Sequence, residues 1–201
     1  VNPVLLIHGI DDTDRLFRRM IPWLQSKGIP VHSLNLIPNN GDAGIDELAR
    51  QLSAFVGTAV PAGQFIDLVG FSMGGLVARY YLQRLGGLER VQRFIAISSP
   101  HNGTWTAFLR RNPGARQMRP GSDFLKDLNR DAAILNRIQS TTIRTPFDLM
   151  IIPSSSSELA AARSIRVNVA AHPLMVRDRR VLEWVHRLLV GEPEATATRK
   201  V

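Results

Sequence analysis

The sequence predicts an α/β fold, a mostly parallel sheet of about six strands with helices on both faces. Three observations carry that expectation. Short apolar runs suited to buried strands alternate along the chain with segments whose apolar residues recur every three or four positions. The pentapeptide Gly70-Phe71-Ser72-Met73-Gly74 falls between one such run and one such segment, where strand would turn into helix. Finally, Ser72, Asp148 and His172 each follow a predicted strand, which in a sheet of this kind places them along its carboxyl edge.

Taken in order, Val4 to Ile7 read as the first strand, ending at His8-Gly9-Ile10-Asp11. A helix capped by Asp12 or Thr13 follows, carrying Leu16, Phe17, Met20 and Leu24, with Pro22 placed to kink it and Gly28 to close it. Residues 31–36 form a second strand and 37–41 a loop. Residues 42–58 form an amphipathic helix with Leu48, Leu52, Phe55, Val56 and Ala59 on one face. The strand at 65–69 meets the serine pentapeptide, and a helix runs on to about Leu85, stopped by Gly86-Gly87. A sharp strand-to-helix turn strains its middle residue, and side chains at Gly70 and Gly74 would collide across it. The strain lifts the hydroxyl clear of the sheet, and the helix start aims free N–H groups at whatever that hydroxyl attacks. Residues 91–98 are a fourth strand. A loop-rich insertion with two short helical patches follows at about 100–137, then strands at 141–144 and 165–169. The last helix covers 177–190, and a frayed tail is expected from Gly191 to Val201.

With 201 residues and no linker-like stretch, the chain reads as one domain, 1–201, carrying that cap-like insertion. No apolar run approaches the roughly 20 residues of a bilayer span, and the first residues lack the charged leader of a signal peptide. The expectation is a cytoplasmic chain or a processed, truncated secreted one. The absence of cysteine excludes disulfides, thiol catalysis and cysteine-ligated zinc, and no metal site is expected. Basic residues outnumber acidic ones, 25 against 17, and only Lys27, Lys126 and Lys200 are lysines. The arginines are spread along the chain rather than gathered on one element with aromatics, so nucleic acid is not an expected partner. Solvated arginine faces are the simpler reading, ahead of attraction to an anionic surface.

A serine hydroxyl becomes a useful nucleophile only when a base takes its proton, and that base works best when a third group orients it. Of five histidines, His8 at the end of the first strand suits a structural hydrogen bond, and His32 and His186 suit structural or exposed positions. His101 and His172 are the contenders. Asp148 sits among Phe147 and Leu149-Met150-Ile151-Ile152, and a carboxylate in apolar surroundings needs a partner such as an imidazole N–H. The backbone N–H groups of Met73 and Ile10 are placed to receive the charge that develops on an attacked carbonyl oxygen.

Several stretches together resemble the α/β-hydrolase lipases and esterases, including the compact bacterial triacylglycerol lipases. They are Pro3-Val4-Leu5-Leu6-Ile7-His8-Gly9-Ile10, Gly70-Phe71-Ser72-Met73-Gly74-Gly75-Leu76, Ser98-Ser99-Pro100-His101-Asn102-Gly103-Thr104, Asp148-Leu149-Met150-Ile151 and His172-Pro173-Leu174. The resemblance implies carboxyl-ester hydrolysis through an acyl-enzyme, with no cofactor. Ser72 would be the nucleophile, His172 the base and then the acid, and Asp148 the orienting group. The family's chain order of serine, acid, histidine favours His172 over His101. Ile10 and Met73 carry over as the oxyanion donors. Two departures stand out: Phe71 where the family often has histidine, and Ile10-Asp11 where it often has a run of glycines.

A thioesterase or acyltransferase could use the same machinery, and a silent binding protein could keep the fold, although an intact Ser72, Asp148 and His172 argues against silence. In the insertion, Phe124, Leu125 and Leu128 at helical spacing suit packing, whereas Trp105 and Phe108 are expected to line an acyl pocket, with Leu174 and Met175 adding an apolar rim. The expected substrate is an acylglycerol or another medium-to-long acyl ester, reached through transient contact with lipid surfaces.

Overall fold

The structure, a computed structural model, describes residues 1–191; the tail expected to fray lies outside the described residues except for Gly191. Six strands form one sheet: β1 (Val4–Ile7), β2 (Val31–Leu34), β3 (Ile66–Phe71), β4 (Val91–Ile97), β5 (Gln139–Arg144) and β6 (Arg163–Arg166). All five pairings are parallel, in the order β2-β1-β3-β4-β5-β6. The chain starts at β1, steps outward to β2, then crosses back to β3 and proceeds the other way. The order therefore reverses between β1 and β3, and a crevice opens there beyond the strand ends. The register pairs Ile7 with Gly70, so the turns after β1 and β3 emerge side by side.

Both faces of the sheet are covered, which is why the central strands read as unbroken apolar runs rather than alternating ones. Leu5, Ile7, Leu68 and Phe94 face α2 (Ile45–Ala59) and α3 (Met73–Arg84). Val4, Leu6, Val69, Phe71 and Ile97 face α1 (Met20–Gln25) and α6 (Arg179–Val190). Every residue of β3 is buried. Among the described residues no helix is long and apolar enough to cross a membrane.

Several boundaries differ from expectation for local reasons. The first helical segment is two pieces, a 3-10 helix at Asp14–Phe17 and then α1. Pro22 falls in the first turn of α1, where its missing N–H breaks no bond, so it kinks nothing. Strand β2 stops at Leu34 because the Leu36 N–H turns aside to His8 Nε2, 3.0 Å away. Helix α2 begins at Ile45, after an extended Gly44, with Asp46 and Glu47 at its positive end. Strand β6 begins two residues earlier than expected and ends three earlier, at Arg163–Arg166.

Between β4 and β5 the chain forms a 3-10 helix at Trp105–Leu109, then α4 (Pro113–Gln117), α5 (Asp123–Arg130) and another 3-10 helix at Ala132–Arg137. This insertion is tied down along its length. The Arg79 guanidinium of α3, wholly buried, donates to the carbonyl of Leu128 at 2.7 Å, to Asn129 Oδ1 at 2.8 Å and to the carbonyl of His101 at 3.4 Å. Burial holds its pKa down to about 10. Arg84 pairs with Asp127 and Asp131 at 2.9 and 2.7 Å. At the other end Gly114 N–H donates to the carbonyl of Gly41 at 2.9 Å, and Gln117 donates to Asp46 at 2.8 Å.

Two histidines are buried as neutral rings. His8 Nδ1–H donates to the carbonyl of Gly9 at 2.8 Å while Nε2 accepts from Leu36, so its partners fix the tautomer. His101 has no exposed surface, packs edge-on against Phe94 and bonds through neither ring nitrogen among the described residues. Burial lowers both pKa values, that of His101 well below the usual range.

Two measurements test these buried groups. Arg79→Leu leaves several inward carbonyl acceptors unpaired and should lower the unfolding free energy by about 3 kcal/mol in urea denaturation; a change within error would remove the anchoring role. The histidines bind a proton in the unfolded chain below about pH 6.5 but not in the folded one, so stability is complete above that value and falls as pH drops through it. The urea midpoint should therefore fall between about pH 7.5 and 5, and less steeply in His101→Leu. A flat profile would mean the rings are not held neutral.

Candidate functional site

Ser72 lies between β3 and α3, as the N-cap of the helix, with φ 53° and ψ −123°, a left-handed conformation that costs a non-glycine residue about 1–3 kcal/mol. The flanking glycines make that turn sterically possible. A Cβ on Gly70 would lie 2.6 Å from Gly75 Cα, and one on Gly74 would strike the carbonyl of Ile7. Ser72 N–H donates to the carbonyl of Ile97 at 2.9 Å, which ties the turn to β4.

Asp148 and His172 come from the loops after β5 and β6. His172 Nδ1 lies 2.8 Å from Asp148 Oδ2, with the two residues 7% and 5% exposed. Asp148 Oδ1 accepts from the N–H groups of Met150 and Ile151 at 3.0 and 2.9 Å. Burial alone would push this carboxyl's pKa up, but the His172 hydrogen bond and charge, with the two backbone donors, outweigh it and hold the value below the ordinary range. Asp148 is thus an anion that orients Nδ1–H, leaving Nε2 free to act as a base. The imidazole packs on Phe71, the residue that precedes the serine, with ring centroids 4.7 Å apart. Phe71 thereby serves as a wall for the imidazole. Among the described residues Ser72 Oγ makes no hydrogen bond, and such contacts commonly tighten only around a bound substrate.

The turn after β1 lies against the serine: a Cβ on Gly9 would sit 2.9 Å from Ser72 Cβ. Neither Ile10 N–H nor Met73 N–H donates to any described residue. Asp11 takes a left-handed conformation, with φ 60°, and its N–H donates to the carbonyl of Asn39 at 2.8 Å. His8 pins the same turn through Gly9. His101, the other contender for the base, is sealed beside Phe94.

A cavity of about 370 Å³ opens beside Ser72, lined in part by Ile10, Thr106, Ala107, Leu109, Met118 and Ile151. This corrects the expected pocket. Trp105 and Phe108 do not line it; they stack on each other with centroids 5.5 Å apart, on the exposed side of their segment. The reason is the 3-10 geometry of Trp105–Leu109, in which residues three apart eclipse and share one face. Met175 is no part of a rim, because the chain turns inward after the short 3-10 helix at His172–Leu174 and buries it with Val176 and Val181. Leu174 is exposed but outside the cavity. The small residues Ala107 and Ala115, which give the cavity its room, carried no sequence signal, and Leu149-Met150-Ile151 signalled only as the surroundings of Asp148. Larger clefts, such as the one of about 490 Å³ along Arg166, Trp184 and Arg187, hold none of these groups.

Comparisons with known proteins agree with this architecture. The triacylglycerol lipase of Pseudarthrobacter phenanthrenivorans is 33% identical over 110 residues, covering 51% of this chain and 34% of that protein. Lysosomal thioesterase PPT2 of Homo sapiens is 31% identical over 109 residues, covering 51% of this chain and 35% of that protein. Each match thus spans about a third of the relative's length. Among solved structures, the mature form of lipase BlEst2 from Bacillus licheniformis has a TM-score of 0.78 at 16% identity, over 94% of this chain and 91% of that one. Lipase B of Aspergillus fumigatus gives 0.81 at 18% identity, over 94% and 52%. At such identities the structures speak to the fold alone, and the fold is that of the α/β-hydrolases. The profile of the palmitoyl protein thioesterase family matches residues 3–143, well over half of the sequence, and the chain belongs to that family.

Proposed function

We propose that the chain is a serine hydrolase that cleaves medium-to-long acyl esters, acylglycerols among them, through an acyl-enzyme on Ser72. The observation that carries this reading is the His172–Asp148 pair packed on Phe71 beside a left-handed Ser72. In the first half-reaction Ser72 Oγ attacks the ester carbonyl carbon while His172 Nε2 takes its proton. The oxygen of the tetrahedral intermediate receives the free N–H groups of Ile10 and Met73. His172 then returns the proton to the departing alcohol oxygen, leaving the acyl group on Ser72. Water, deprotonated by His172, attacks that ester; the acid departs and Ser72 recovers its proton. Asp148 stays ionised throughout and steadies the imidazolium.

The family match favours a second reading on the same residues, hydrolysis of acyl thioesters. A thiolate is a better leaving group than an alkoxide and depends less on the returned proton. Turnover of an ester and a thioester carrying the same acyl chain separates the two, and a thioester preference of a hundredfold or more in kcat/KM would move the assignment.

For the machinery itself, Ser72→Ala, His172→Ala and Asp148→Asn should each lower kcat by about 10⁴-fold or more on a soluble p-nitrophenyl ester, while His101→Leu stays near the parent rate. Retained activity in Ser72→Ala would end the mechanism. Each buried CH₂ contributes at most about 0.8 kcal/mol, so a cavity that holds several should favour laurate over acetate esters by tens of fold. Ala107→Phe, which fills the cavity, should erase most of that ratio. Because the ratio is taken within one variant, any loss of folded protein cancels; an unchanged ratio would place the acyl chain elsewhere.

A further inference from the structure

The exposed apolar side chains are concentrated around the mouth of the cavity. One strip is Trp105, Phe108 and Leu109; the other is Phe147, Leu149 and Met150, with Leu109 and Leu149 reaching 85% and 79% exposure. The two strips are joined edge to edge through their polar groups. Trp105 N–H donates to the carbonyl of Ile152 at 3.0 Å, and the Thr104 and Thr106 hydroxyls donate to the carbonyl of Met150 at 2.8 and 2.6 Å. With those polar groups satisfied internally, what projects outward is apolar, and none of the described residues covers it.

Charge separates the possible occupants. Residues 104–120 contain four arginines, Arg110, Arg111, Arg116 and Arg119, and no acidic residue. In the facing strip the only charged residue is Asp148, which is buried against His172. Arg119 lies over the Phe108 ring, 4.8 Å from its centroid, and donates to the carbonyl of Arg110 at 2.8 Å. Arg110 reaches Asp11, while Arg111 and Arg116 are exposed and make no ion pair with any described residue. Four arginines within ten residues thus form a cationic fringe beside an apolar ridge, with Asp11, paired to Arg110, and Asp42, which accepts from Asn112, as their acidic neighbours. An apolar face to insert and flanking cations to meet headgroups is the composition that binds an anionic lipid interface. A second copy of the chain would bring the same positive charge.

We propose that this face docks on an anionic lipid surface, with the mouth of the cavity turned toward the lipid, Trp105, Phe108, Leu109 and Leu149 entering the interface and Arg111 and Arg116 contacting its headgroups. The proposal extends the ester-hydrolase reading by naming where such a site would meet its substrate, but its test does not depend on turnover. Ser72→Ala protein is sedimented with phosphatidylcholine vesicles, with and without about one-third phosphatidylglycerol. Binding should be at least about tenfold tighter to the anionic vesicles and should weaken as salt is raised. Arg111→Glu/Arg116→Glu should abolish that preference, since each arginine near such a surface contributes about fivefold, and should leave turnover of a soluble short ester unchanged in the Ser72 protein. Tryptophan emission should shift to the blue on anionic vesicles and fail to shift in Trp105→Phe. Equal binding to both vesicle types, or none to either, overturns the proposal. So does a dimer in gel filtration that Trp105→Asp dissociates without any vesicle affinity, which would make the ridge a contact between copies. Vesicle binding without ester turnover would instead spare the docking face and refute the hydrolase reading.

Discussion

The first turn of α3 runs so close beneath β1 that no side chain fits at Gly74 against the carbonyl of Ile7. That approach governs the geometry of the sheet edge that carries Ser72. It forces the chain at Ser72 into a left-handed conformation, because a relaxed residue would not connect β3 to a helix starting so near the sheet. It also sets Gly9 against the serine, so the turn after β1 and the start of α3 present N–H groups to one small volume. A single steric constraint therefore sets the serine hydroxyl at the edge of the cavity and leaves the N–H groups of Ile10 and Met73 unpaired among the described residues. Stability is traded locally for geometry, and the buried, fully packed β3 on which the turn rests is what makes the trade tolerable.

The polar groups near this centre differ in how they are held. Asp148 has partners for both oxygens, and its charge is kept by bonds that overcome its burial. His8 uses both ring nitrogens on backbone and so behaves as a rigid strut under the turn after β1. His101 bonds through neither nitrogen and is held by packing alone among the described residues. Three groups that titrate in water are thereby each biased toward one state by their bonds or their burial.

The sheet, the strained serine and the Asp148–His172 contact are legible in the sequence because each rests on a local pattern: apolar runs, glycines at fixed offsets, a carboxylate stranded among apolar residues. The pocket is not. Trp105 and Phe108 are the largest apolar side chains near the site, and size suggests that they line it, but their direction depends on a 3-10 rather than extended backbone, which no periodicity in five residues reveals. Ala107 and Ala115 matter by what they lack, and absence of bulk has no sequence signature. Met175 escapes such reading because a single turn after His172 decides whether it faces water or the core. The cationic fringe, by contrast, is legible, since Arg110, Arg111, Arg116 and Arg119 lie within ten residues of one another.

The three-residue period of Trp105–Leu109 also bears on how this site can change over evolutionary time. In an α-helix, loss or gain of one residue rotates the following side chains by about 100°, whereas in a 3-10 helix the rotation is about 120° and carries each residue onto the track of its neighbour. A one-residue deletion ahead of Trp105 would thus exchange entire roles, bringing the Phe108 ring inward where Ala107 now leaves space. Indels of this kind would reshape the cavity in one step without touching Ser72, Asp148 or His172. Divergence in chain-length preference can then proceed by shifts of phase in a loop, with the chemical centre held fixed behind it.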